Sequence, residues 1–221
     1  MKRLSIPLLT AVFLGLSAPA NAAIIGAVGA TIDVGGPGFG SISDTFDQSG
    51  LRANYVSGVT DFDTFVANTK HDWVFAGNEW FSNLNTTSAR VTYDLGSIRT
   101  IDKMALWNDE AAGMGKLDLL VSNDGVTFSN LLLGLVPTDN FAQADYAADV
   151  FGFGATSFRY ISMAMSECPQ VLRDEGPAFP SCAIGEVAFN EVGVIPVPAS
   201  LPLIFSGLLL LGGVRRLRRK S

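Results

Sequence analysis

Between residues 56 and 82 the sequence gathers side chains that could do chemistry. Asp61, Asp63 and Thr64 fall close together. A hard cation takes several oxygens at about 2.3–2.6 Å, so these three are expected calcium ligands. The competing expectation is that the aspartates serve turns and caps, which they commonly do. His71, Trp73 and Phe75 follow, and Trp107 stands further on, ahead of Asn108, Asp109 and Glu110. Aromatic faces with a few polar groups suit a sugar, so His71, Trp73, Phe75 and Trp107 form the expected ligand-binding set. Core packing competes for each of these aromatics and is the preferred reading for Trp80.

Several chemistries are disfavoured. His71 is the sole histidine, which rules out multi-histidine zinc sites. No Gly-x-Ser-x-Gly context accompanies it, so a serine triad lacks its elbow. Acid pairs for glycoside hydrolysis depend on separation in space, which the sequence does not give. Gly113-Met114-Gly115 has no strand-then-helix setting and is not a phosphate loop. No catalytic residue is assigned, and the chain is expected to be no enzyme.

The charge is segregated. All 21 acidic residues lie between Asp33 and Glu191, while seven of the 15 basic residues lie in the two ends. The body therefore carries eight basic against 21 acidic residues, a formal −13. Such a body repels phosphates, so a nucleic-acid partner is excluded.

These side chains need a frame that holds loops in place. The body is rich in glycine, and short runs of β-formers alternate with turn signals, which predicts an all-β sandwich. Residues 88–95 read as a strand with Val91, Tyr93 and Leu95 on one face. Residues 100–107, 116–122, 158–165 and 184–191 read as four more, and Asn123-Asp124-Gly125 ends the third of the five. Arg159, between aromatics on a strand, is expected to be a buried partner for a carboxylate. Cys168 and Cys182 are the two cysteines. In an oxidising compartment the expected state is a disulfide, worth roughly 3 kcal/mol. A metal site or a reactive thiol is the alternative, and no histidine or further cysteine lies nearby to complete a metal set.

Both ends look like targeting segments. Met1-Lys2-Arg3, an apolar run and Ala20-Asn21-Ala22 make the three parts of a secretory signal peptide, with cleavage expected after Ala22. At the other end Pro196, Val197 and Pro198 stiffen a linker. Residues 201–214 are apolar, and Arg215, Arg216, Arg218, Arg219 and Lys220 close the chain as a basic stop. As a helix that run reaches about 21 Å, short of a ~30 Å hydrocarbon core. A marginal span suits a temporary stop for a processing enzyme better than a permanent anchor.

A Pro-x-Pro motif, an apolar helix and a terminal Arg cluster, in that order over residues 194–221, resemble the PEP-CTERM sorting signal. Val197 departs from it, standing where the name-giving motif has Glu. The resemblance implies cleavage by a membrane protease called exosortase. It also implies a Gram-negative-type bacterium that makes an exopolysaccharide matrix. The expected path is export, tethering at the inner membrane, then the periplasm, the cell surface or the matrix.

A second resemblance runs through the body. Val91-Thr92-Tyr93-Asp94-Leu95-Gly96, then 101–106, then Val121 to Phe128 around Ser122-Asn123-Asp124-Gly125, then Phe158-Arg159-Tyr160-Ile161 and Ile184-Gly185-Glu186-Val187 resemble the successive blocks of discoidin, or coagulation factor 5/8 C-type, domains. Phe128 stands where that family has Trp. The resemblance implies a galactose-binding-like jelly roll, with ligand loops at one end and often a calcium ion beside them. It also places Glu186 where that family's last-strand Glu helps close the calcium site.

The expected organisation is a signal peptide over 1–22, a discoidin-like β-sandwich over 23–192, a Pro-rich linker over 193–200, and a transmembrane helix with basic tail over 201–221. The expected function is a non-catalytic, surface- or matrix-associated module that binds carbohydrate. The alternative is a structural or adhesive surface protein without a small-molecule site.

Overall fold

Two long strands organise the molecule. The computed structural model describes residues 22–73, 77–141, 143–170 and 179–193. The expected signal sequence up to residue 21, the sorting motif, the apolar tail and Phe75 lie outside them. Strand β5 (Ser88–Trp107) and strand β9 (Asp149–Ser166) run antiparallel along most of their lengths. Their register shifts between Asp94 and Arg99, where Gly96 takes a φ of +80°. That left-handed turn, which glycine adopts without penalty, joins the two strands read separately from the sequence into one bent strand.

Each half of the pair has its own neighbours. The first half of β5 pairs with β2 (Gly29–Val34), while β9 beyond the bend pairs with β6 (Lys116–Ser122), which pairs with β7 (Ser129–Leu135). The second half of β5 pairs with β11 (Glu186–Glu191), and β11 with β1 (Ala23–Ile25). The result is an all-β sandwich. Two short ladders complete it. One joins β3 (Lys70–His71) to β8 (Tyr146–Ala147), and the other joins β4 (Trp80–Phe81) to β10 (Ala183–Ile184).

Strand periodicity explains the core. Val91, Tyr93 and Leu95 alternate with outward residues in β5 and bury with Leu117, Leu119, Ile161, Met163 and Met165. Met104, Leu106, Val187 and Phe189 close the same cluster from the other layer. Side chains of that second layer on its far face, Ala105, Trp107, Ala188 and Ile24, enter a second cluster. The cover for that cluster is helix α1 (Phe62–Asn68) together with Leu51, Tyr55 and Tyr146. Phe62, Phe65 and Val66 recur at helical spacing and supply α1's buried face.

Cys168 and Cys182 form a disulfide whose Cα atoms lie 5.0 Å apart. It joins the end of β9 to the segment entering β10, inside the main core. Asn21–Gly193 gathers into one unit. Among the described residues, no helix is long and apolar enough to cross a membrane.

Candidate functional site

Turns that follow β3, precede β4 and leave β5 meet around a cavity of about 200 Å³, lined by Trp73, Glu79, Phe81, Asp109, Glu110, Ala111 and Phe179. At ~30 Å³ of liquid per water, that is about seven waters' volume, the scale of one sugar ring. Phe81 and Phe179 meet edge to face at 5.4 Å, and Trp73 keeps 43% of its surface exposed. An exposed indole offers a stacking face.

The polar wall is acidic and deeply set. Glu79 is 1% exposed and Asp109 2%, and Glu110 is buried as well. Asp109 follows directly from the end of β5, where its Oδ1 accepts hydrogen bonds from the Ala111 and Ala112 amides at 3.0 and 2.5 Å. Asn108 pins the same loop. Its Nδ2 donates to Gln170 Oε1 at 2.7 Å and to Thr138 O at 3.0 Å, and its Oδ1 accepts from Met114 N at 3.0 Å. Glu79 accepts from the Tyr146 hydroxyl at 2.5 Å. Burial, with Asp109 and Glu110 near, holds the Glu79 carboxyl well above the usual carboxylate range. Asp109 is raised too, chiefly by burial, though the three backbone amides it meets oppose the rise. The two carboxyls lie within hydrogen-bonding reach of each other, a contact that favours a protonated Glu79 donating to Asp109.

The structure sorts the expected ligand set. Trp73 lines the cavity. His71 sits behind it, fully buried and stacked on Tyr146 at 5.0 Å. Its Nδ1 is 2.7 Å from Asp72 O and 3.6 Å from Glu79 Oε1. Burial lowers its pKa, so it is neutral and a packing partner rather than a ligand contact. Trp107 is fully buried and its Nε1 donates to Thr69 O at 3.3 Å. Its strand does end at the loop cluster, but the side chain points to the second core cluster and presents no surface to a ligand. Trp80 is core as well.

The expected calcium set does not converge. Asp61 caps α1, with Oδ1 accepting from Thr64 N at 2.8 Å. Asp63 is paired with Lys103 at 2.7 Å, which removes its need for a cation. Glu186 is buried on β11 and accepts from Gln48 N at 3.0 Å, with Asp44 and Asp47 raising its pKa further after burial. The four expected donors are thus split between helix cap, ion pair and core. Among the described residues no three His, Cys, Asp or Glu side chains gather to hold a metal. Arg159 does find its carboxylate, Asp94, at 2.8 Å, but the pair is half-exposed rather than buried because it lies on the outer face of the sheet.

A larger hollow, about 700 Å³, lies open over the outer face of β2, β5, β6 and β9. Its acids are engaged: Asp33 accepts from Thr92 at 2.6 Å and Asp94 from Arg159. Its aromatics, Phe128 and Tyr160, are half-buried, whereas Trp73 is exposed. Glu79, Asp109, Phe81 and Phe179 escaped the sequence reading as a site. The cue present was the Trp107-Asn108-Asp109-Glu110 strand end; the partners come from segments far apart in the chain.

No family model matches the chain, and no curated protein does. Several solved structures are similar in shape. One is the CBM32 of AlyQ in complex with 4,5-unsaturated mannuronic acid, at 15% identity and TM-score 0.44, covering 75% of this chain and 96% of that one. A second is chitosan-binding module 1 from a chitosanase/glucanase of Paenibacillus sp. IK-5, at 19% identity and TM-score 0.46, covering 75% and 95%. A third is CpGH89CBM32-5 from Clostridium perfringens in complex with GalNAc-beta-1,3-galactose, at 15% identity and TM-score 0.47, covering 73% and 93%. At such identities and scores, what those modules bind says nothing about what this chain binds.

Proposed function

We propose that this chain is an exported, non-catalytic carbohydrate-binding module, held at the cell surface or in the matrix through a PEP-CTERM-type tail. One observation carries the binding reading. Trp73 stands exposed beside buried carboxyls in a cavity the size of a single sugar ring. Ring stacking and hydroxyl-to-carboxylate hydrogen bonds are what such a wall can offer. The carboxyls argue for binding over cleavage. Glycoside hydrolysis sets two carboxyls about 5–9.5 Å apart across the scissile bond, whereas Glu79 and Asp109 sit within hydrogen-bonding reach and almost out of solvent.

The acidic body and the basic, apolar tail support surface exposure, with an exosortase-type protease and exopolysaccharide as partners. A glycan array probed with the full-length chain, with and without chelator, tests both the sugar and the calcium expectation. Binding to defined glycans that Trp73→Ala abolishes is expected. An array without any binding in either condition would favour the structural or adhesive reading.

A further inference from the structure

We propose, building on the membrane-tethered reading of the tail, that the bend end of the sandwich is a foot. While the tail is attached, it rests on the lipid surface with Val28, Ile98 and Val126 against the bilayer.

Strand register puts these side chains at one end. Gly29 pairs with Asp94, Asp94 with Tyr160, and Tyr160 with Ser122, so one row crosses β2, β5, β9 and β6. Val28 directly precedes that row, and its amide donates to Asp94 O at 2.8 Å. A β-carbon on Gly96 would stand 3.2 Å from the Val28 side chain. Ile98 lies in the same bend of β5. Val126 belongs to the turn just past Ser122, whose Gly125 lies against the Tyr160 ring. Val28 is 68% exposed, Ile98 59% and Val126 83%. Exposed apolar residues scattered singly are ordinary, whereas a gathered patch marks an interaction site.

The chain leaves the body at this end. Val192 N donates to Thr100 O at 2.8 Å, and Glu191 meets Arg99 at 3.1 Å. Residues 194–200 follow and span at most about 25 Å when fully extended. Pro196 and Pro198 limit how they bend. The apolar run 201–214 begins there. Ala23, the register partner of Glu191, brings the start of the body to the same place. When 201–214 enters a bilayer, the bend is therefore the part of the body held nearest the lipid. The pocket lies a strand length away, about 25 Å along β5, so Trp73 is carried clear of the membrane.

Charge favours this end as well. The body carries a formal −13, which anionic headgroups repel. Around the bend the carboxylates are engaged. Asp94 meets Arg159 at 2.8 Å and Glu191 meets Arg99. Asp124 Oδ1 accepts from the Val126 and Thr127 amides, each at 2.8 Å. Seating the three apolar side chains at the interface thus strips no unpartnered one of these carboxylates of water, and the apolar area they bury favours contact.

The full-length chain reconstituted into phosphatidylcholine vesicles tests this. One fluorescent label is placed at Ser157→Cys, exposed beside Thr100 at the bend, or at Val136→Cys, exposed next to the Pro137 and Thr138 carbonyls that hold the pocket's loop. Both native cysteines are in the disulfide, so the label enters only the new thiol. Lipid spin-labelled at its headgroup is expected to quench the label at 157 and leave that at 136 unchanged. Val28→Ser, Ile98→Ser and Val126→Ser together are expected to abolish this quenching while the protein still floats with the vesicles. Equal quenching at the two positions, or unchanged quenching in the triple variant, overturns the foot alone. Self-quenching at 157 in place of quenching by lipid assigns the patch to a second copy and overturns the lipid contact. A full-length chain that does not float with the vesicles overturns the tethered reading beneath it.

Discussion

The Tyr146 hydroxyl donates to Glu79 Oε1 across 2.5 Å, from a ring that lies 5.0 Å from His71 in a near-parallel stack. Burial keeps that carboxyl neutral against the pull of the hydroxyl, and burial is what sets the protein's response to pH. Glu79 and Glu186 are both raised above the ordinary carboxylate range by burial. An acid with a raised folded pKa gives its full stability below its unfolded value of about 4.3. It loses that stability as pH climbs toward the folded value. The wild type is therefore expected to lose up to about 1.4 kcal/mol per pH unit per carboxyl above pH 4.5. Chemical denaturation from pH 4.5 to 8 measures this, and Glu79→Gln should flatten the slope. Parallel curves for the two proteins would mean that Glu79 is ionised in the fold.

The two tryptophans Trp73 and Trp107 should separate binding from folding. Trp107 is fully enclosed against Phe62, Phe65 and their neighbours, so Trp107→Ala should cost about 3–5 kcal/mol. Trp73 is 43% exposed, and Trp73→Ala should stay within about 1 kcal/mol of wild type while losing glycan binding. Denaturant midpoints and array signals on the two variants check the split. Stable Trp107→Ala protein would contradict the packing described.

Reduction of Cys168–Cys182 should remove roughly 3 kcal/mol in the chain-entropy account. The bridge ties β9 to the segment entering β10, and β10 pairs with β4 beside the pocket. Loss of glycan binding is therefore expected at reductant concentrations that leave β5 and β9 folded. Amide exchange with and without reductant reads this directly.

Gly50 lies against the His71 imidazole, where a β-carbon would overlap the ring. His71 cannot yield, because Tyr146 backs it and β3 fixes its backbone. Gly50→Ala should cost at least about 1–3 kcal/mol and displace Tyr146 from Glu79. A melting temperature equal to wild type would show that the ring has room to move.

What the sequence disclosed follows from periodicity. Val91, Tyr93 and Leu95 announce an inward face because alternation over a strand has one solution once a core exists. Helix α1 stayed hidden. Its seven residues are too few for a repeating pattern, and Asp61 and Asp63 carry the same signature whether they cap a helix, pair with Lys103 or bind a cation. Aromatic identity alone could not tell Trp73 from Trp107, since the same ring stacks on sugar or fills a core. The Glu79–Asp109 encounter was out of reach. Thirty positions separate the two, and only the end of β5 and the entry to β4 bring them together.

The described body opens and finishes on a single rung, for Ala23 is the register partner of Glu191. A pull between the two ends would work on neighbouring strands at one edge and peel their hydrogen bonds apart in sequence. A pull on the Glu191 end against cargo held at the pocket would instead load β11 along its length, against β5. The module is built to yield easily to one direction of traction and to resist the other.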